Sequence, residues 1–378
     1  MSTPNAKLNL PPGIAGWEDY QRLAQCRVPD FVFNYIDKGI GRDVCLKNNA
    51  SDLDKVLISS VINDNVEKPD FSTKIFGRNY RYPFSVAPVG APGILCPGAE
   101  HAFALASDRL GIPFSLSTPA TTPFEQTADI LGAAQWFQLY PPKQPKQRRH
   151  LLARLKNSGI NVLILTIDVP CIQWREHAAK SEAFNRGWRL PLSVIRYPRW
   201  LFRQCVGGRL QLPNIATYAG GLDFKTGQAY IAKNCIWPIG LDDIAKIREE
   251  WDGYLVVKGV MHQRVAHQVS SLGVDGIYIS NHGGRQLDCA PSTASVIADI
   301  RAATPSHIKI LADGGVRSGL DILRMLSIGA DFVFAGKLPY MAVTGLGVHA
   351  AEPTLQLVAH QLETTMVQLG RSTVQELA

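Results

Sequence analysis

IKILADGGVRSGLDILRMLSIGADFVFAGK, residues 308–337, holds two short apolar runs, IKILAD and DFVFAG, with a segment of helical length between them. The runs are continuous rather than alternating. A strand wet on one face alternates, whereas a parallel strand covered by helices on both faces does not. The intervening segment ends on IGAD, and a glycine there suits the left-handed residue that stops a helix and turns the chain into the next strand. The stretch therefore reads as one βαβ unit with parallel strands.

The same unit recurs towards the N-terminus. Apolar runs stand at PFSVAP (83–88), IPFSLS (112–117), WFQLY (136–140), NVLILTID (161–168), YLVVKG (254–259) and GIYISN (276–281), which with the two above makes eight. LGIP (110–113), SGIN (158–161) and LGVD (272–275) repeat the punctuation of IGAD (328–331). Ala99, Ala102, Phe103, Ala106 and Leu110 recur at helical spacing, and Thr122, Pro123 and Glu125 read as a capping box with proline at the first helical position. Eight βα units predict the α/β class and a (β/α)8 TIM barrel over about residues 83–350, covered by an N-terminal segment, 1–82, in a single domain spanning 1–378. Strand starts lie about 20 to 30 residues apart except between the fourth and fifth, where about 90 intervene and a long excursion, about 175–235, is expected. A doubly wound sheet would need a G-x-G-x-x-G turn after an early strand, and the sequence has none.

Composition narrows the class of protein. With 378 residues, 46% of them hydrophobic, the chain is long enough for a large core. MSTPNAKLNLPPG at the N-terminus lacks the features of an export signal, and nowhere do 18 apolar residues run together, so a cytoplasmic location is expected. Seven cysteines without a C-x-x-C pair suggest neither a disulfide framework nor a zinc site, and no metal is expected. The net charge of +7 fits small anionic ligands; a nucleic-acid groove would need basic residues in a track, which is not the pattern here.

In a barrel of this kind chemistry gathers at the C-terminal ends of the strands. There stand Pro88, Val89 and Gly90; Ser117; Gln138 and Tyr140; Thr166 and Asp168; Lys258; Ser280, His282 and Arg285; Asp313, Gly314, Gly315 and Arg317; and Gly336 with Lys337. Singly each has a structural explanation, since an Asp caps helices and a Lys snorkels, but few are residues a core selects. DGGVRSG (313–319) and AGK (335–337) follow the seventh and eighth strands, where glycine backbone N–H groups approach an anion and Arg317 and Lys337 neutralise it. Lys258 on the same rim suits the negative charge of a reduced flavin, and Gln138, Thr166 and Ser280 suit the polar edge of its ring.

These pieces resemble the FMN-dependent α-hydroxy-acid oxidase and dehydrogenase family, which includes glycolate oxidase, lactate oxidase and mandelate dehydrogenase. The resemblance runs from about Pro29 to Tyr340 and rests on SNHGGRQLD (280–288), VFNY (32–35), FQLY (137–140), LTID (165–168), VKG (257–259) and DGGVR (313–317). It implies FMN as cofactor, His282 as catalytic base paired with Asp168, and Arg175 with Arg285 on the substrate carboxylate. Tyr35 and Tyr140 would bind the substrate and its hydroxyl. The implied reaction takes an (S)-2-hydroxy acid to its 2-oxo acid, with electrons leaving to a quinone or to oxygen, in a homo-oligomer, a tetramer by the family pattern. The chemistry agrees: two arginine forks fix a carboxylate, and a histidine base is typically worth about two to four powers of ten in rate. An FMN-barrel isomerase, the rival reading, has no use for two carboxylate-binding arginines around a histidine.

Lys337 stands where relatives usually carry arginine, Pro119 where glycolate oxidase has tryptophan, and Gln173 with Trp174 where many have Gly and Arg. Gly90 matches the dehydrogenases rather than the oxidases, which carry alanine, so slow reaction with oxygen is expected. RGWRLPLSVIRYPRWLFRQCVGGR (186–209) has six arginines and no acid, interleaved with Trp188, Tyr197, Trp200 and Phe202. It reads either as a lid or as an anchor to the inner face of the cytoplasmic membrane.

Overall fold

The computed structural model describes residues 10–62, 66, 68–174, 176 and 194–377; Arg175 and residues 186–193, Trp188 among them, lie outside that set. Strands β1 (Thr73–Ile75) and β2 (Arg78–Tyr80) form an antiparallel hairpin. β3 (Phe84–Val86), β4 (Phe114–Ser117), β5 (Gln135–Leu139), β6 (Val162–Thr166), β7 (Tyr254–Lys258), β8 (Gly276–Ile279), β9 (Lys309–Ala312) and β10 (Phe332–Ala335) then close a parallel barrel in chain order. Closure is between the last strand and the first, with Val333 opposite Phe84. Each apolar run of the sequence supplies one barrel strand. Gly111, Gly159, Gly273 and Gly329, at the helix ends the sequence marks, all have positive φ, from 71° to 112°.

Residues alternate along each strand between a packed interior and the surrounding helices. Trp136, Val162, Ile164, Val256, Tyr278, Leu311, Phe332 and Phe334 fill the interior together with Ile75, Phe76 and Tyr80 of the hairpin. Phe76 meets Trp136 edge-on at 5.3 Å and Tyr254 at 5.4 Å, ring centre to ring centre. Trp136 and Tyr254 lie in the first two residues of β5 and β7, so the hairpin stops the N-terminal mouth of the barrel. Each such fully buried side chain contributes about 2 kcal/mol through the surface it removes from water. The opposite mouth, at the C-terminal strand ends, is left for the site.

Three N-terminal helices, Trp17–Arg27, Asp30–Asp37 and Val44–Asp54, pack outside the barrel, and the second and third reach its C-terminal rim. Between β6 and β7 the excursion forms helices Pro198–Val206, Ala216–Ala219 and Phe224–Asn234 before Leu241–Glu250 leads back to the sheet. It also changes one local expectation. The helix after β4 begins at Phe124 with no side-chain cap of its own, and Glu125 instead pairs with Arg154 at 2.7 Å. Asn214, from the excursion, supplies the cap by accepting the Phe124 N–H at 2.9 Å. A tertiary partner has replaced the local one.

Candidate active site

A cavity of about 860 Å³ opens at the C-terminal mouth. Pro88, Val89, Gly90, Ser117, Gln138, Tyr140, Thr166, Lys258, His282, Arg285, Asp313, Gly314, Gly315, Arg317, Gly336 and Lys337 line it, joined by Tyr35 from helix Asp30–Asp37. Asp168 and Ser280 lie one layer behind, each bonded to a lining residue. The sequence-derived positions among the described residues thus converge on one chamber. Pro119 and Trp174 also reach it, Trp174 with 72% of its surface exposed.

At the β6–β8 side, His282 Nδ1 stands 3.1 Å from Asp168 Oδ2 and 3.3 Å from Oδ1. His282 has φ 59°, an uncommon conformation for a residue other than glycine and one that histidine tolerates better than most. Its own N–H donates to Ser280 Oγ at 3.1 Å, and the following Gly283 and Gly284 also have positive φ, so the chain reverses sharply beneath the ring. Burial pushes the imidazole below its ordinary pKa; Asp168 works against this, while Lys258 and Arg285 add to it. For Asp168 burial alone would raise the carboxyl, but the charge and hydrogen bond of His282, with Lys258, outweigh it and hold the group below the usual carboxylate range. The pair therefore rests as neutral imidazole and carboxylate. With Nδ1 engaged by Asp168, Nε2 is the nitrogen left to accept a proton.

Arg285 is aimed from below by the N-terminal segment. Its guanidinium lies 5.0 Å from the centre of the Tyr35 ring and donates through Nη2 to the Tyr35 carbonyl. The Tyr35 hydroxyl in turn donates to the Gly90 carbonyl. Cation, ring and first strand-end loop are thereby fixed together. Lys258 Nζ donates to Ser280 Oγ at 2.8 Å and lies 3.6 Å from Asp313 Oδ2. Behind it a polar line crosses three strands: Ser117 Oγ donates to Gln138 Oε1, and Gln138 Nε2 donates to Thr166 Oγ1 at 2.8 Å.

At the β9–β10 side, Gly314 and Gly315 have φ of 96° and 85°. A Cβ at Gly315 would sit 2.2 Å from the Asn49 carbonyl oxygen, so only glycine fits there. Arg317 stacks on Trp17 at 4.2 Å, and burial pushes its guanidinium down to about 10. Lys337 donates through Nζ to the Asp37 carbonyl, and burial next to Arg317 drives its pKa well below the usual lysine value. Asp313 Oδ1 and Thr293 Oγ1 are buried and have no hydrogen-bond partner among the described residues. Two neighbouring cations, a glycine turn and orphaned oxygens are groups suited by their chemistry to a phosphorylated, hydroxyl-bearing ligand.

The sequence did not disclose how these loops are held. Asn49 and Asn281, both buried, exchange carboxamide hydrogen bonds of 2.9 and 2.7 Å across 232 residues of chain. Asp288, the last residue of SNHGGRQLD, accepts the N–H groups of Arg42 and Cys45 at 2.9 and 3.2 Å. Only Asp288 had a local signal, its place in the motif.

The sequence profile of the family described as FMN-dependent dehydrogenase matches residues 24–378. An L-lactate dehydrogenase of Xanthomonas campestris pv. campestris (strain 8004) is 35% identical over 371 residues, covering 97% of this chain and 96% of that protein. An L-lactate dehydrogenase of Acinetobacter baumannii (strain AYE) is 34% identical over 370 residues, 96% of each chain. Among solved structures, the monotopic membrane protein (S)-mandelate dehydrogenase superposes with a TM-score of 0.90 at 27% identity, over 97% of this chain and 98% of that one. A mandelate oxidase bound to (S)-4-hydroxymandelic acid superposes with a TM-score of 0.82 at 26% identity, over 96% and 97%.

Proposed function

The chain belongs to the FMN-dependent dehydrogenase family and is a 2-hydroxy-acid oxidoreductase; from that premise we propose that it oxidises an (S)-2-hydroxy acid with His282 as the base, in one catalytic domain. The observation that carries this reading is the Asp168–His282 contact of 3.1 Å opening onto the same cavity as Arg285. The remaining residues fit FMN by their own chemistry. Gly314, Gly315, Arg317, Lys337 and Gly336 would hold the phosphate, and the orphaned Asp313 oxygen a ribityl hydroxyl. Pro88, Val89 and Gly90 would face the ring, with Ser117, Gln138, Thr166 and Ser280 at its polar edge and Lys258 at its N1 side. Bound there, FMN supplies the two-electron acceptor.

Oxidation to the 2-oxo acid removes two protons and two electrons. Arg285, with Arg175 as the second fork, holds the carboxylate and so orients the α-carbon. Tyr35 and Tyr140 bind the substrate and its hydroxyl. His282 takes one proton at Nε2, and Asp168 stabilises the imidazolium without moving. The same residues serve whether His282 takes the hydroxyl proton and the α-hydrogen leaves with the electrons, or His282 takes the α-proton and the hydroxyl proton and electrons leave afterwards.

A quinone is the proposed acceptor. A Cβ at Gly90 would stand 3.0 Å from Pro119 Cγ, so the alanine of the oxidases would crowd this chain, in keeping with a dehydrogenase that reacts slowly with oxygen. Helix Pro198–Val206 and the residues just before it support peripheral membrane attachment, proposed for the inner face of the cytoplasmic membrane. Ile195, Phe202 and Val206 are 62%, 69% and 70% exposed, whereas Trp200 is buried, donating to the Ile94 carbonyl at 3.1 Å. Arg203 also faces inward, onto the Leu346 carbonyl at 2.7 Å, so the outer face is apolar and flanked by Arg196 and Arg199. No described helix is long and apolar enough to cross a membrane. A homo-tetramer is proposed from the family resemblance.

Anaerobic mixing with L-lactate, (S)-mandelate and their enantiomers tests the reading: the flavin should bleach with an (S)-acid and only slowly with the (R)-acid. A flavin that stays oxidised throughout would refute it; in a separate assay of the reduced enzyme mixed with oxygen, stoichiometric peroxide at the rate of reduction would make the protein an oxidase. Flotation with anionic vesicles at low salt tests the attachment, which protein remaining at the bottom would contradict.

A further inference from the structure

Asn49 stands where the two ends of the cavity meet. Its Nδ2 donates to Asn281 Oδ1 at 2.9 Å, and its Oδ1 accepts from Asn281 Nδ2 at 2.7 Å and from the Thr293 N–H at 3.2 Å. Asn281 Oδ1 also receives the Gly284 N–H at 3.2 Å, and Asn281 Nδ2 donates to the Pro291 carbonyl at 3.0 Å. Every polar atom of the two carboxamides that faces this junction is thus engaged with the loop carrying His282 and Arg285.

The other side of Asn49 is against the glycine turn. Its main-chain carbonyl oxygen occupies the space a Cβ at Gly315 would need, 2.2 Å away, and its side-chain Cγ lies 3.3 Å from where a Cβ at Gly314 would stand. Asn49 also lines the cavity itself. The helix bearing it is set against the His282 loop at two further points: Cys45 N–H donates to Asp288 Oδ1 at 3.2 Å, and Leu46 N would lie 2.6 Å from a Cβ at Gly284. Contacts this close leave neither loop free to shift without the helix.

We propose that Asn49 is a positioning residue that joins the Gly314–Gly315 turn to the His282 loop, so that filling the turn with the flavin phosphate also fixes the catalytic base. The proposal rests on the reading that this turn holds FMN. An elementary argument sets its direction. A loop held through a buried, doubly bonded amide pair loses freedom when either partner is immobilised, and the second binding event then meets less disorder.

Amide hydrogen exchange, followed by mass spectrometry on the flavin-stripped and FMN-loaded protein, tests it. In the wild type FMN should slow exchange at residues 313–317 and, together with it, at 44–50 and 281–288. In Asn49→Ala the protection at 313–317 should persist once FMN is saturating, while that at 281–288 is lost, and FMN should bind about tenfold more weakly, the loss expected from stranding buried polar partners. If wild-type protection at 313–317 does not extend to 281–288, or if Asn49→Ala keeps both, the proposal is overturned. FMN that gives no protection at 313–317 in the wild type would instead overturn the cofactor reading on which it depends. The wild-type arm decides even if the variant does not fold.

Discussion

At the β9–β10 end of the cavity Arg317 and Lys337 lie part-buried close to each other and, among the described residues, neither forms an ion pair; at the β6–β8 end Lys258 and Arg285 flank an aspartate–histidine pair. The same residue types do different work. In the first region burial, and after it the neighbouring Arg317, depress the Lys337 pKa with only partial relief from Asp37 and Asp43, and an incoming dianion would oppose that shift. In the second, Lys258 has the Asp313 carboxylate 3.6 Å away, and burial, helped by Lys258 and Arg285, lowers the His282 pKa while His282 and Lys258 hold that of Asp168 down against its own burial. On the proposed assignment, one end holds charge for binding and the other sets a proton affinity for chemistry.

The difference can be broken one end at a time. His282→Asn should cut the rate of anaerobic flavin reduction by about two to four powers of ten. The protein should nevertheless purify yellow, because nothing at the phosphate end has changed. Loss of the flavin along with the activity would mean that the two ends are not separable in this way. Arg285→Met comes next. Stranding a carboxylate in a buried site costs roughly 2–5 kcal/mol, so kcat/KM for the hydroxy acid should fall roughly a hundredfold while the FMN dissociation constant is unchanged. Steady-state kinetics beside a flavin fluorescence titration measures both. The smallest effect belongs to the other end. Lys337, with its pKa lowered by burial and by Arg317, loses its charge as pH rises, well before an exposed lysine would. FMN binding should therefore weaken from neutral to alkaline pH by several-fold in the wild type, and Lys337→Arg, whose charge persists, should flatten that dependence. Equal pH profiles for the two proteins would remove Lys337 from the phosphate site.

How much of this was legible in the sequence depends on how far apart the interacting residues are. The barrel strands were readable because burial on both faces leaves a continuous apolar run, and the helix ends because a left-handed residue there favours glycine. Polar residues at strand ends marked the site, since a barrel core does not select Lys258, His282 or Gln138. Asn49 was invisible: its partner is 232 residues away, and an asparagine in KNNAS is locally an ordinary helix-surface residue. The same holds for Asn214, which took the capping role that the local pattern gave to Thr122 and Glu125. In the excursion, composition showed arginines among aromatic residues but not their directions. Trp200 and Arg203 turn inward only because the Ile94 and Leu346 carbonyls and the Phe31 ring are there to receive them.

The central claim is that a neutral His282, held by Asp168 and depressed by burial and its neighbouring cations, takes the substrate proton. The pH dependence of anaerobic flavin reduction, measured by stopped flow, tests it most directly. A base must be unprotonated to act, so the rate should fall on the acid side with a midpoint below the ordinary histidine value of 6.5. That midpoint should rise in Arg285→Met, which removes a cation, and drop in Asp168→Asn, which removes the carboxylate. A midpoint above 6.5, or an acid limb that survives unchanged in His282→Asn, would contradict the account.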